Sequence, residues 1–258
     1  MAQELKPIRP SAAVRTAYQR KLHALTDEMH RSVVYWLKVN YRSQAARLAL
    51  DASPAMELRR IMRKLSRRWQ ARFDELAPQM AEYFARAASS RVDRELEAML
   101  RKAGISVRFK MSAGQRNAYQ AVIGENVALI KSIPEKYLAD IERSVMSSVG
   151  TGRDLGALVK DLEQGYGVTR RRAALIARTQ NNMATATLTR TRQIEAGITK
   201  ARWLHSAGGK TPRPEHVAFS GKTYDVTKGA YLEGKWTFPG QEINCRCVSV
   251  ALIPGFGD

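Results

Sequence analysis

Cysteine is almost missing from the 258 residues: only Cys245 and Cys247 occur. Two thiols so close together exclude the disulfide framework of a small secreted domain, and an extended segment holds such a pair in poor geometry for bonding to each other. No apolar run reaches the roughly 18 residues of a membrane-spanning helix. The start, MAQELKPIRPSAAVR, lacks the apolar core of a signal peptide, so a soluble protein made in the cytosol is expected. Catalytic signatures are missing too: there is no nucleophile elbow, no Walker-type glycine loop and no His-Glu-x-x-His helix. A non-enzyme is therefore expected. Acids are scarce, with 24 Asp and Glu against 43 Lys and Arg, which gives a net charge of +19 and a pI near 10.3. That imbalance points to a negatively charged partner.

What is present is a globular composition, 44% hydrophobic and 26% charged, in a chain long enough for one large domain or two ordinary ones. Composition changes along it. Residues 1–104 carry 21 basic and 11 acidic side chains, residues 105–200 carry 15 and 8, and residues 201–258 carry 7 and 5. Glycine and proline are sparse up to Gly104 and crowd together after Gly197. The expected fold is predominantly α with a small C-terminal α+β module. Its segments are an N-terminal basic helical region (1–104), a helical middle region (105–200) and a turn-rich α+β module (201–258).

The helical period is clearest after Pro54. Leu58, Ile61, Met62, Leu65, Trp69, Phe73 and Leu76 fall within a sector of roughly 120°, while Arg59, Arg60, Arg63, Lys64, Arg67 and Arg68 occupy the other side. Pro78 predicts an interruption or kink near Ala77, and Gly104 a helix end. Residues 12–50 read as a helix packed on the Leu58 stripe, with the turn at Asp51 to Pro54. Further helices are expected over Ala113–Lys131, over Glu135–Val149 with Pro134 opening it, and over Leu155–Tyr166. A turn at Thr151-Gly152-Arg153 precedes the last of these. Thr169 is placed to cap another helix running from Arg170 to about Ala196. Strands are expected at Ala201–His205, Lys222–Val226 and Ile243–Leu252, the last putting both cysteines on one face and Arg246 on the other.

The final segment carries an ordered set of motifs: Trp203-Leu204-His205, Pro212-Arg213-Pro214-Glu215-His216, Gly221-Lys222, Trp236, Pro239-Gly240 and Asn244-Cys245-Arg246-Cys247. Upstream lie Lys131-Ser132-Ile133-Pro134, the Gly152 turn, and Arg172-Ala173 followed by Ile176-Ala177-Arg178-Thr179-Gln180. Over about residues 115–253 this order resembles the phage Mu F-like minor head proteins, the phage head morphogenesis family. The chain departs from that family's pattern at Gly209-Lys210-Thr211 and at Gln180, where acids are common.

His205, His216, Cys245 and Cys247 supply four N/S donors, the number a closed structural zinc site needs. A gap of one residue between the cysteines is tighter than the roughly two to four of ordinary zinc knuckles. The competing reading has His216 bonded to a backbone carbonyl and the cysteines filling the core. The basic side chains of the 54–78 helix read either as a solvated face or as a phosphate-binding one. Arg170, Arg171 and Arg172, placed at an expected helix N-terminus, oppose the helix dipole and favour the second reading.

The resemblance implies a minor capsid or head morphogenesis protein of a tailed bacteriophage. Its implied partners are the portal protein, the major capsid protein and phage double-stranded DNA contacted without sequence preference. Its implied location is the capsid interior or portal vertex, and the host cytoplasm during assembly. A coupled toxin domain, found with some modules of this type, is not expected in a sequence that stops at Asp258. The alternative is a non-viral nucleic-acid-binding protein with a zinc-stabilised C-terminal module.

Overall fold

The computed structural model describes residues 3–45, 54–150, 155–208 and 211–253. Four long helices follow a two-residue strand: β1 (Gln3–Glu4), α1 (Ala12–Ala45), α2 (Pro54–Lys102), α3 (Ala113–Gly150) and α4 (Leu155–Glu195). The remainder is short: β2 (Lys200–Leu204), α5 (Pro214–Ala218), β3 (Thr223–Asp225), β4 (Ala230–Leu232), β5 (Lys235–Thr237) and β6 (Val248–Ile253). This is the mainly α chain with a small C-terminal α+β module that the composition leads one to expect. The expected turns at Asp51–Ser53 and Thr151–Arg153 lie outside the described residues.

Compactness groups the chain differently from the composition boundaries at 104 and 200. One unit takes residues 18–80 and 126–176; the other takes 1–17, 81–125 and 177–258.

The first unit is built from segments of all four long helices. Leu22, Leu25, Met29, Val33 and Leu37 of α1 are buried at spacings of three and four, as are Leu58, Met62, Leu65, Trp69 and Phe73 of α2. Ile61 and Leu76 of the expected stripe lie half-buried at its margins. Side-chain hydrogen bonds cross this core. Tyr18 donates to Asn126 Oδ1 at 2.9 Å, the Trp69 indole donates to Ser32 Oγ at 3.3 Å, and His30 Nδ1 meets the Tyr137 hydroxyl at 2.7 Å. The His30 ring also stacks on Tyr166 with centroids 4.1 Å apart.

Two expected helix boundaries are corrected, those at Pro134 and Thr169. α2 runs through Pro78 without interruption, and α3 runs through Pro134 as a single helix. An internal proline costs about 3 kcal/mol through its missing donor and its clash with the preceding turn. Beyond Pro134, however, Tyr137, Leu138, Ile141 and Val145 are all buried, and four such side chains contribute about 6 to 12 kcal/mol. Burial wins. α4 is likewise continuous from Leu155, so Thr169 caps nothing; its hydroxyl donates back to the Gly165 carbonyl at 2.9 Å.

The second unit contains the sheet, ordered β1-β6-β2-β3 and antiparallel throughout. β4 and β5 form a separate hairpin. α2 ends as expected at Gly104 (φ 82°), and α4 ends in the same way at Gly197 (φ 74°). In each case the next amide reaches back to a helix carbonyl, Ile105 to Leu100 and Ile198 to Gln193, both at 2.9 Å. Arg192, only 1% exposed, bonds Asp93 on α2 at 2.7 and 3.0 Å, Glu195 at 2.7 Å and the Lys110 carbonyl at 2.8 Å. It thereby fixes the irregular segment between α2 and α3.

Candidate functional site

The site grows from β2. Alternation along the strand turns Ala201 and Trp203 inward, and Trp203 is fully buried. Its ring meets His216, Phe219 and Tyr224 edge-on, at centroid distances of 5.0, 5.8 and 6.1 Å. Both backbone groups of Trp203 pair with the Gly221-Lys222 turn, at 2.8 and 2.9 Å. Pro214 opens α5, where its missing amide donor costs nothing, and the short helix carries His216 inward to 2% exposure.

The second wall is the Asn-Cys-Arg-Cys segment. The expected strand over 243–252 starts only at Val248, so both cysteines precede it. Asn244 adopts φ 62°, a left-handed conformation that Asn tolerates and that interrupts pleating. Beyond it the chain alternates: Cys245 and Cys247 are buried and Arg246 is exposed, as the period-2 reading requires. Two polar groups of α4 hold the segment. Asn182 donates to the Cys245 carbonyl at 2.8 Å, and Arg178 donates to Asn244 Oδ1 at 3.0 Å.

His216 Nδ1 lies 3.6 Å from Cys245 Sγ and 3.9 Å from Cys247 Sγ. The three donor atoms all fall within 4.8 Å of one another. His205 stands apart from this group, its Nδ1 accepting the Ala207 amide at 3.1 Å. The structure therefore brings together three of the four sequence-derived donors. The thiols act on each other: a hydrogen bond from Cys247 lowers the pKa of Cys245, while that bond and burial raise Cys247. Sequence reading missed the carboxylates beside the imidazole. Glu233, Glu242 and a His216 ring nitrogen also lie within 4.8 Å of one another. Burial pushes the Glu242 carboxyl up, but Lys235, Arg213 and His216 outweigh it and hold it below its ordinary value. Lys235 Nζ is 2.9 Å and Arg213 Nε 3.3 Å from that carboxylate.

The basic residues divide into two kinds. Arg59, Arg60, Arg63, Lys64, Arg67 and Arg68 are all exposed on α2. Among the described residues only Arg60 of these has an acidic partner, Glu57 at 2.7 Å. Arg170, Arg171 and Arg172 lie inside α4 rather than at its start, which removes the dipole argument for an anion there. Arg170 pairs with Asp27 at 3.0 Å and Tyr166 at 3.0 Å, and Arg172 donates to Ser132 Oγ at 2.8 Å. Only Arg171 of the three is exposed.

The chain is 27% identical over 260 residues to an uncharacterized protein of Haemophilus influenzae, an alignment covering 98% of this chain and 56% of that protein. It thus spans little more than half the length of that curated relative. No solved structure matches it. Residues 139–250, which include His216, both cysteines and the helix that anchors them, match the family described as Phage Mu protein F like protein.

Proposed function

We propose that the protein is a minor capsid component acting in head morphogenesis of a tailed bacteriophage. The observation that carries this reading is the family match over residues 139–250. In this reading it joins the portal protein or the major capsid protein inside the assembling head, in the host cytoplasm, and remains in the virion.

Contact with packaged DNA is the second part of the proposal. Its support is the +19 charge and the exposed cations of α2. Binding of this kind rests on neutralising phosphates and releasing counterions, so it has no sequence preference and weakens with salt. Arg171 is the α4 arginine placed to add to it; Arg170 and Arg172 are engaged within their own unit. The role is adhesive and needs no catalytic group.

Chemical cross-linking of assembling heads, followed by peptide identification, tests the assignment. Cross-links to portal or capsid protein are the expected outcome. Recovery solely with host nucleic-acid machinery would instead favour the non-viral nucleic-acid-binding alternative.

A further inference from the structure

We infer that His216 Nδ1, Cys245 Sγ and Cys247 Sγ are three ligands of a structural zinc ion. The inference stands on the geometry of the C-terminal module and does not depend on a role in phage heads. Zn–S bonds of about 2.3 Å and a Zn–N bond of about 2.0 to 2.1 Å at tetrahedral angles place sulfur and nitrogen about 3.6 Å apart. The observed separations are 3.6 and 3.9 Å. A zinc ion fits between these atoms with movements of a few tenths of an ångström, on the order of the flexibility of ordinary ligand geometry. Two thiolates and an imidazole are a donor set that favours zinc over magnesium or calcium, which prefer oxygen.

The surroundings are those of a ligand set. A histidine bound to a metal through one nitrogen carries a proton on the other, and that proton normally finds a carboxylate or carbonyl. His216 Nε2 is buried and has no hydrogen-bond partner among the described residues, while Glu233 and Glu242 lie beside the ring. Asn182 fixes the Cys245 backbone, and the Trp203 ring packs against the imidazole. The narrow Cys-x-Cys spacing works because Asn244 turns the chain just before the cysteines and the extended segment then points both inward. His205 stands outside the group and is not one of the three ligands. The ion joins α5 to the segment leading into β6, across 29 and 31 residues of chain.

The test uses untagged full-length protein made in zinc-supplemented medium. Metal analysis is expected to return about one zinc per chain, and His205→Ala about the same. Cys245→Ser, Cys247→Ser and His216→Ala are each expected to lose most of it. Because those variants can unfold, the wild-type protein provides the independent reading. After chelation it is titrated with Co²⁺ alone, and a thiolate-to-cobalt charge-transfer band saturating at one equivalent is expected. Less than about a tenth of an equivalent of zinc, together with no charge-transfer band, overturns the site. Loss of metal on His205→Ala with retention on Cys247→Ser overturns the ligand assignment.

Discussion

Changing Arg59, Arg63 and Arg67 together to Gln isolates the surface of α2 proposed to contact DNA. All three are exposed, four residues apart, and among the described residues none has an acidic partner. At 1.5 Å per residue they span about 12 Å of helix, and a DNA strand offers a charge about every 3.4 Å of axis, so three contacts fit one strand. Each phosphate contact adds about 0.9 to the salt slope of log K, which at about 0.1 M monovalent salt is about an 8-fold gain in affinity. Losing three lowers the slope by about 2.7 and affinity by about 500-fold. The stability cost should stay within about 0.5 kcal/mol, because nothing buried is touched. Fluorescence anisotropy with two unrelated duplexes, titrated from low to physiological salt, reads both quantities, and thermal unfolding checks the fold. An unchanged slope in a folded variant refutes the phosphate role of this face and leaves it as a solvated one.

Other expectations concern the structure that carries these surfaces. Arg192→Met leaves Asp93 and Glu195 without their buried cation, and because those carboxylates keep 24% and 23% exposure the loss should be near the lower end, about 3 kcal/mol by denaturant unfolding. Asn182→Ala strips the Cys245 carbonyl of its donor and should cost about 1 to 3 kcal/mol in the same assay. Burial lowers the pKa of His30 against the opposing pull of Glu163 and Asp27. The folded state therefore prefers the neutral ring. Its contribution is full above pH 6.5 and is lost as pH falls through the folded value. Stability measured downward from pH 7 should decline, and His30→Gln should flatten that decline; an unchanged pH profile contradicts the assignment.

The helices of this chain are legible because long apolar stripes repeat at three and four: Leu58, Met62, Leu65, Trp69 and Phe73 are read correctly as buried and the neighbouring arginines as exposed. The breaks at Pro134 and Thr169 are not. Local propensity argues for ending a helix there, whereas burial further along the same helix overrides it, and only the tertiary structure reveals that burial. Strand β1 carries no signal in two residues, since its pairing with Ile253 and Leu252 is a contact across the whole chain. The β4–β5 hairpin did leave one, Glu233-Gly234 between alternating segments, both at positive φ. At the candidate site the donor types and the inward placement of Cys245 and Cys247 follow from composition and period. Which histidine joins them does not. The sequence offers both His205 and His216 as donors, and α5, set by Pro214, carries His216 to the buried position. Arg178 and Asn182, four residues apart and on one helical face, form an anchor visible only once the Asn-Cys-Arg-Cys segment lies against α4.

The central claim is that the protein is a component of a phage head. Heads assembled from the genome that encodes this chain can be purified through two density steps and their proteins counted by quantitative mass spectrometry. The account predicts a small, fixed number of copies per head, retained through purification and cross-linked to portal or capsid protein. Absence of the chain from purified heads, while it is abundant in the same lysate, contradicts it.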